Sequence, residues 1–123
     1  MVRARRRTRH QPGVMNKTEL AYSLVLDEMK RSGEIESWRF EAVRLKLAEK
    51  THLTVDFYVI RPDGLVEFHE VKACRSDGKF LIEDDANVKL KMAAELYPEF
   101  AFLIAGKLPI KSGGGWKYAK VGS

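Results

Sequence analysis

The chain has 123 residues, a length that fits one domain with a single core and needs no disulfide to fold. Its formal net charge is +5, and its one cysteine, Cys74, excludes an intrachain disulfide and favours a reducing, cytoplasmic setting. No apolar run approaches the roughly 20 residues that a membrane-spanning helix needs, and no apolar segment follows the basic N-terminus, so neither a membrane span nor a secretory signal is predicted.

The positive charge is concentrated at the N-terminus. Five arginines lie before residue 12: Arg3, Arg5, Arg6, Arg7 and Arg9. The other 17 of the 22 Lys and Arg residues equal the 17 Asp and Glu residues in number, so the rest of the chain is nearly neutral. We interpret residues 1–15 as a flexible basic arm that binds nucleic-acid phosphates through counterion release. A solvated tail without a binding role explains the same composition equally well.

A first helix is predicted over residues 16–32. Asn16 suits the N-cap, Glu19 lies three residues further on as in a capping box, and Gly33 suits the position after the last turn. Four apolar side chains recur at helical spacing and predict the buried face of this helix: Leu20, Ala21, Leu24 and Val25.

Three strands are predicted to follow the helix. The first covers residues 38–47 with an irregularity near Ala42, the second covers residues 53–60, and the third covers residues 65–74. The Pro-Asp-Gly sequence at residues 62–64 is a strong turn signal, because proline suits the second turn position and glycine accepts a positive φ. The second and third strands are therefore expected to form a hairpin.

The second half of the chain predicts a helix and one or two further strands. Asp84 or Asp85 can cap a helix that runs to about Tyr97. Residues 100–105 are wholly apolar and predict a strand that is buried on both faces, and residues 116–121 fit an edge strand. The order of helix, three strands, helix and strand predicts an α/β fold with a mixed sheet flanked by helices.

The hairpin carries the residues that suggest a chemistry. If its loop has three residues, Asp56 lies opposite Glu70 and Thr54 lies opposite Lys72, all on one face of the sheet. Two opposed carboxylates lie about 5 Å apart at their Cβ atoms, and burying them unpartnered costs several kcal/mol. A hard divalent cation, Mg²⁺ or Mn²⁺, relieves this cost, so the pattern predicts a metal site.

Two carboxylates, a divalent metal and a lysine suit phosphodiester hydrolysis. Asp56 and Glu70 would bind the metal, which lowers the pKa of water, and the Val71 carbonyl can add a ligand. Lys72 would orient the attacking water or stabilise the charged transition state. By strand alternation His69 points to the opposite face, so it is excluded as a ligand. The alternative is an exposed polar edge with a surface ion pair between Asp56 and Lys72.

These residues resemble the signature of the PD-(D/E)xK nuclease superfamily, which has an acidic residue on one strand and Glu-x-Lys on the next within an α-β-β-β-α-β core. Val55 stands where the family signature has proline. Small phage-type members share further short motifs with this chain, in the same order: Gly33-Glu34-Ile35, Asp56-Phe57, Glu70-Val71-Lys72, Lys89, Lys91 and Tyr97-Pro98.

The resemblance covers about residues 16–121 and implies a restriction-endonuclease-like core, with residues 16–123 forming the nuclease domain. The layout is also similar to that of phage endonuclease I-type Holliday junction resolvases, which act in DNA recombination. The resemblance implies that Glu19 completes the catalytic site, a role that its place in the capping box does not exclude. It also implies that Lys89 and Lys91 line the substrate side, although a solvated helix face explains these lysines too.

We therefore expect a Mg²⁺-dependent endonuclease, with Mn²⁺ as a substitute, that hydrolyses DNA and accepts branched or structured DNA. Asp56, Glu70, Lys72 and Glu19 are the predicted catalytic residues. If the chain is encoded by a phage, it would act in the host cytoplasm, and a homodimer would let two sites cut two strands. A catalytically inactive nucleic-acid-binding module and an interaction domain whose arm binds acidic protein remain the alternatives.

Overall fold

The computed structural model describes residues 11–122 of the chain. Residues 11–73 contain one helix and five strands: α1 (Lys17–Ser32), β1 (Ser37–Phe40), β2 (Arg44–Ala48), β3 (Thr51–Thr54), β4 (Phe57–Ile60) and β5 (Val66–Ala73). The second half contains a helix, two strands and a short 3-10 helix: α2 (Asp84–Leu96), β6 (Ala101–Lys107), the 3-10 helix (Ile110–Ser112) and β7 (Trp116–Lys120). Within residues 11–122, neither α-helix combines the length and hydropathy that a bilayer-spanning segment requires.

Within residues 11–122, seven strands form one large and one small sheet. The large sheet has the order β1-β4-β5-β6-β7, in which β5 and β6 are parallel and the other neighbours are antiparallel. β2 and β3 pair only with each other, as a separate antiparallel hairpin. The predicted α/β class with a mixed sheet is therefore confirmed.

The large sheet has a hydrophobic cluster on each face. One cluster lies beneath α1 and contains seven buried side chains: Tyr22, Leu26, Ile35, Phe57, Val59, Val71 and Ala105. The other lies beneath α2 and the β2–β3 hairpin and contains nine: Leu45, Leu47, Val55, Phe68, Leu90, Ala93, Phe102, Ile104 and Val121. Ile104 and Ala105 are neighbours on β6 but belong to opposite clusters, so this strand is buried on both faces, as predicted.

The ends of α1 follow the local sequence signals. Asn16 Oδ1 accepts a hydrogen bond from the Glu19 N–H at 2.8 Å, and Glu19 Oε1 accepts one from the Asn16 N–H at 2.9 Å. At the other end Gly33 adopts a left-handed conformation with φ 86°. The predicted helix, its capping box and its glycine stop are all confirmed.

The predicted buried face of α1 is wrong for its two leucines. Leu20 is 55% exposed and Leu24 is 63% exposed. The buried positions are Glu19, Tyr22, Ser23 and Leu26. The reason is tertiary, since the ring of Tyr22 packs against Phe57 with a centroid separation of 5.5 Å and its hydroxyl hydrogen-bonds to a buried histidine on β5. Those contacts turn the Tyr22 side of the helix, not the leucine side, toward the sheet.

The first two predicted strands are each interrupted. Residues 38–47 form β1 and β2, which are separated where Glu41 adopts a left-handed φ of 49°. Residues 53–60 form β3 and β4, which are separated at Val55 and Asp56. The breaks arise because β2 and β3 leave the large sheet to pair with each other and pack against α2. The chain therefore rejoins the large sheet at Asp56.

The predicted register of the β4–β5 hairpin is confirmed where the two strands pair. Phe57 lies opposite His69 and Ile60 lies opposite Val66, as the three-residue loop requires. The expected pairing of Thr54 with Lys72 is wrong. Thr54 instead pairs with Arg44, because it belongs to the separate β2–β3 hairpin.

Candidate active site

The candidate site lies where β5 extends beyond its neighbour β4. The β4–β5 ladder ends at Phe57 and His69, whereas the β5–β6 ladder continues to Ala73. Among the described residues, no strand therefore pairs with residues 70–73 of β5 on the β4 side, because β4 begins only at Phe57, after the interruption that follows β3. This interruption opens a gap in the large sheet at one end of β5.

The carboxylate of Asp56 takes the place of a backbone acceptor in this gap. Asp56 Oδ2 accepts a hydrogen bond from the Val71 N–H at 2.8 Å. The Asp56 N–H in turn donates to Glu70 Oε1 at 3.3 Å, and the Asp56 carbonyl accepts from the Glu41 N–H at 2.8 Å. These bonds bring the carboxyl groups of Asp56 and Glu70 to the same end of the strand pair.

A cavity of about 690 Å³ opens at this gap. Its lining includes all four residues that the sequence predicted to be catalytic: Glu19, Asp56, Glu70 and Lys72. Val71, whose carbonyl was predicted as a metal ligand, lines it too. The capping box of α1 places Glu19 there, so this glutamate caps the helix and also faces the candidate site.

Sequence analysis missed one acidic residue of this cavity. Glu41 lines it beside Thr54 and Pro12, and its Oε1 accepts a hydrogen bond from the Gly13 N–H at 2.9 Å. Its position depends on the turn between β1 and β2, which brings the residue back to the end of β4. The left-handed φ of Glu41 lies beside Ala42, where the sequence predicts an irregularity, but no glycine or asparagine marks the residue that adopts it.

The cavity carries an excess of negative charge. Its lining contains four acidic residues and one lysine, Lys72. Glu19 is 4%, Glu70 is 8% and Asp56 is 9% exposed, so three of these carboxyl groups are nearly removed from water. Lys72 Nζ lies 3.6 Å from Glu70 Oε2 and compensates part of this charge. Buried carboxylates in such excess favour the binding of a cation.

The pKa values of the two central carboxyl groups respond to this environment. Burial, together with the charges of Glu70 and Glu19, raises the pKa of Asp56 to about 8, against the lowering effect of the Val71 N–H and Lys72. Burial also raises the pKa of Glu70, although Lys72 opposes the shift. Burial therefore works against ionisation of both carboxyl groups, and a nearby positive charge favours it.

The donor set suits a hydrated magnesium ion. Among residues 11–122, no group of three or more His, Cys, Asp or Glu side chains is arranged to hold a metal ion, so a metal here would depend on the Asp56 and Glu70 carboxylates together with non-side-chain ligands. Mg²⁺ is bound in this way, through one or two carboxylates, retained waters and substrate phosphate oxygens. The Val71 carbonyl and the volume of the cavity fit that mode, whereas a zinc cage would need more side-chain ligands.

No family model, curated protein or solved structure matches this chain. The likeness to PD-(D/E)xK nucleases therefore rests on the motif residues named above and on their arrangement. Assignment to that family and its activity are matters for proposal.

The remaining predicted residues lie elsewhere. Lys89 and Lys91 are not part of the lining of the acidic cavity, and Lys91 lines a different one beside Phe100 and Val66, at the opposite end of β5 and β6. His69 lies on the α1 face, as strand alternation predicted, where its Nδ1 is 2.7 Å from the Tyr22 hydroxyl. The five arginines of the predicted basic arm lie outside the described residues.

Proposed function

We propose that this chain is a Mg²⁺-dependent endonuclease of the PD-(D/E)xK type that hydrolyses DNA phosphodiester bonds, with Mn²⁺ as a substitute. The observation that carries the proposal is the convergence of two buried carboxyl groups, Asp56 and Glu70, with the ammonium of Lys72. A cation-seeking pair of carboxylates beside a fixed positive charge suits a reaction in which negative charge grows on phosphate oxygens.

The arrangement of the strands supports the family assignment. Within the large sheet β1, β4 and β5 form an antiparallel series, and α2 then connects β5 to the parallel strand β6. If the β2–β3 hairpin is treated as an insertion, the order is α-β-β-β-α-β, the order of the restriction-endonuclease-like core. The acidic residue and the Glu-x-Lys motif then fall at the ends of the second and third strands of that core, as in the family signature.

Each residue of the site has a distinct role in the proposed reaction. Asp56, Glu70 and the Val71 carbonyl would hold the metal, which supplies Lewis-acid chemistry and a more acidic water when bound. Glu70 holds the ammonium of Lys72 at the mouth of the site, where it can donate hydrogen bonds to the attacking water or to the phosphate. The backbone bond from Asn16 fixes the carboxyl group of Glu19, which can then orient a water in the cavity.

Cleavage assays with conservative variants test the proposal. The substrates are supercoiled plasmid and labelled single-stranded, linear, flap and four-way DNA, each with Mg²⁺, Mn²⁺ or EDTA. Asp56→Asn and Lys72→Met are expected to lower the cleavage rate by about 10²-fold or more, because each removes a group that acts on the developing charge. Asp85→Asn and Lys30→Met change the same residue types at exposed positions on α2 and α1 and should cleave normally.

Two results would contradict the nuclease assignment. One is the absence of metal-dependent cleavage of every substrate by the wild-type chain, and the other is normal cleavage by Asp56→Asn. DNA binding without cleavage would instead support the alternative of a catalytically inactive nucleic-acid-binding module. A preference for four-way or flap DNA over linear duplex would support the expected action on branched substrates.

A further inference from the structure

A second cavity adjoins the acidic one. It has a volume of about 640 Å³ and lies at the carboxyl ends of the parallel strands β5 and β6. Ala73, the residue after Lys72, lines both cavities. A polymer that occupies the acidic cavity and follows β5 past Lys72 therefore enters the second cavity next.

The two cavities carry opposite charge. The second is lined by three cationic residues, Arg75, Lys107 and Lys111, and by one acidic residue, Asp77. Asp77 Oδ2 lies 2.8 Å from Arg75 Nη2, and neither lysine forms an ion pair within residues 11–122. A cationic surface that begins where an acidic, metal-seeking cavity ends is complementary to a strand that presents phosphates in series.

Part of the lining of the second cavity is apolar. Leu81, Leu108 and Pro109 contribute to its lining, and Leu81 is 53% exposed although the residue is large and hydrophobic. A lining that combines cationic and apolar residues matches the two parts of a nucleotide, since phosphates bind to cations and bases pack on apolar or aromatic surfaces.

The loop that carries Arg75 is held in place from several sides. The Arg75 N–H donates to the Lys79 carbonyl at 2.8 Å, and Asp77 Oδ1 accepts from the Lys79 N–H at 3.0 Å. From β7, Lys117 Nζ donates to the Gly78 carbonyl at 2.8 Å. A cavity whose wall is already ordered loses less conformational entropy when a ligand binds.

We propose that this cavity, which we call the flanking-nucleotide pocket, binds a nucleotide adjacent to the phosphodiester that is cleaved. The proposal rests on the proposed nuclease function and deepens it, because it assigns a path to the substrate strand. Arg75 is three residues after Lys72 and lies in the loop after β5, so the two residues are at most about 10 Å apart along the chain. One strand of DNA presents a charge about every 3.4 Å of axis, so the bound nucleotide lies within about three positions of the cleaved bond.

Binding in EDTA tests the pocket without interference from cleavage. We expect Lys107→Gln/Lys111→Gln to raise the Kd for a fluorescent oligonucleotide about tenfold and to reduce the salt slope of log Kd by about 1 to 2, because one or two phosphate contacts are lost. The control Lys30→Gln/Lys120→Gln removes the same charge from α1 and β7, outside the pocket lining, and should change Kd less than twofold. An equal increase of Kd in both double variants would overturn the proposal.

The apolar part of the lining is tested with Leu81→Ser. This change should raise Kd while leaving the salt slope unaltered, because an apolar contact releases no counterion. Wild-type affinity of Leu81→Ser would overturn the assignment of a base to this apolar part of the lining. Far-UV circular dichroism and urea unfolding of each variant separate lost binding from lost folding.

Kinetics in Mg²⁺ distinguish a failure of the pocket from a failure of the nuclease assignment. The pocket lysine variant should raise KM with kcat unchanged, because it removes binding that is equal in ground and transition states. If the wild-type chain cleaves and this variant retains the wild-type KM, the pocket is wrong and the nuclease assignment stands. If the wild-type chain binds DNA but never cleaves, the nuclease assignment is wrong, and the EDTA binding data still decide the pocket.

Discussion

At the residue scale, some contacts of Asp56 favour ionisation of its carboxyl group and other parts of its surroundings oppose it. Its carboxylate is the acceptor that the Val71 N–H would otherwise lack, a role that favours the ionised form. Burial and the neighbouring acidic side chains oppose ionisation more strongly and raise its pKa to about 8 from an ordinary value of 3.8. Between about pH 4 and about pH 8, the folded chain therefore keeps a proton on Asp56 that the unfolded chain has released. The free energy of unfolding falls as the pH rises through this range.

This linkage predicts that a change damaging catalysis will stabilise the metal-free protein. Asp56→Asn keeps an oxygen to accept from Val71 but carries no charge, so the free energy of unfolding at pH 8 should rise by about 0.5–2 kcal/mol. At about pH 3, below the ordinary pKa of 3.8, the wild-type carboxyl is protonated in both states and the gain should disappear. Urea unfolding in EDTA at both pH values measures it, with Asp85→Asn as the exposed control. A variant that is less stable than the wild type at pH 8 would contradict the linkage.

At the scale of elements, the strand interruption creates the site. An unbroken second strand would have paired along β5 as far as Lys72 and filled the gap that is now the acidic cavity. The sequence of residues 53–60 alternates as one strand does, and Val55 has strand propensity, so the local signal for the break is limited to Asp56, a residue type that strands disfavour. It follows from the packing of the β2–β3 hairpin on α2, where the Tyr97 hydroxyl donates to the Lys46 carbonyl at 2.7 Å.

A second element-scale feature is the contact between Phe80 and Gly106, which fixes the loop of the flanking-nucleotide pocket. A Cβ atom at Gly106 would lie 2.5 Å from the Phe80 ring, so Gly106→Ala must displace that ring. We expect this change to lower the free energy of unfolding by about 1–3 kcal/mol, the usual effect of overpacking a filled site. Urea unfolding measures it.

The control for this prediction is the double variant Gly106→Ala/Phe80→Ala. Because Phe80→Ala removes the ring, the added methyl group should then cost much less, and a double-mutant cycle should give a coupling of about 1 kcal/mol or more. Additive effects of the two changes would mean that the close approach of residues 80 and 106 does not constrain the loop.

At the scale of the whole molecule, the predicted role of the charge distribution stays a prediction that salt can test. Five of the positive charges precede residue 12, and residues 12 and 13 lie at the acidic cavity, with Pro12 in its lining. A variant lacking residues 2–10 should bind duplex DNA with a salt slope lower by about 4 to 5, because each phosphate contact contributes about 0.9. Fluorescence anisotropy between 50 and 200 mM salt, roughly the range where such slopes are resolved, measures it.

The basic arm and the catalytic site should separate in the same experiment. At saturating DNA, the variant without the arm should keep the wild-type kcat, since arm binding is uniform through the reaction. An unchanged salt slope would assign the arm to the alternative of a solvated tail.

The predicted homodimer also concerns the whole molecule. Sedimentation equilibrium of the full chain measures its oligomeric state.

The sequence by itself determined the features that depend on neighbouring residues. The capping box and Gly33 fix the ends of α1 because they satisfy or redirect backbone groups within one turn. The turn at residues 62–64 fixes the register of β4 on β5, and that register aims Asp56 toward Glu70. Local turn geometry thus set the register that leads to Asp56 and Glu70, although the gap in which their carboxyl groups meet depends on the tertiary structure.

Only the tertiary structure decided the features that depend on distant partners. The buried face of α1 was set by Tyr22 against Phe57, and Leu20 and Leu24 were left exposed although their spacing predicts burial. Pairing of β2 with β3 interrupted the strands, brought Glu41 to the acidic cavity and left the end of β5 open. These outcomes depend on which surfaces bury the most area and satisfy the most backbone groups, a competition among segments far apart in sequence.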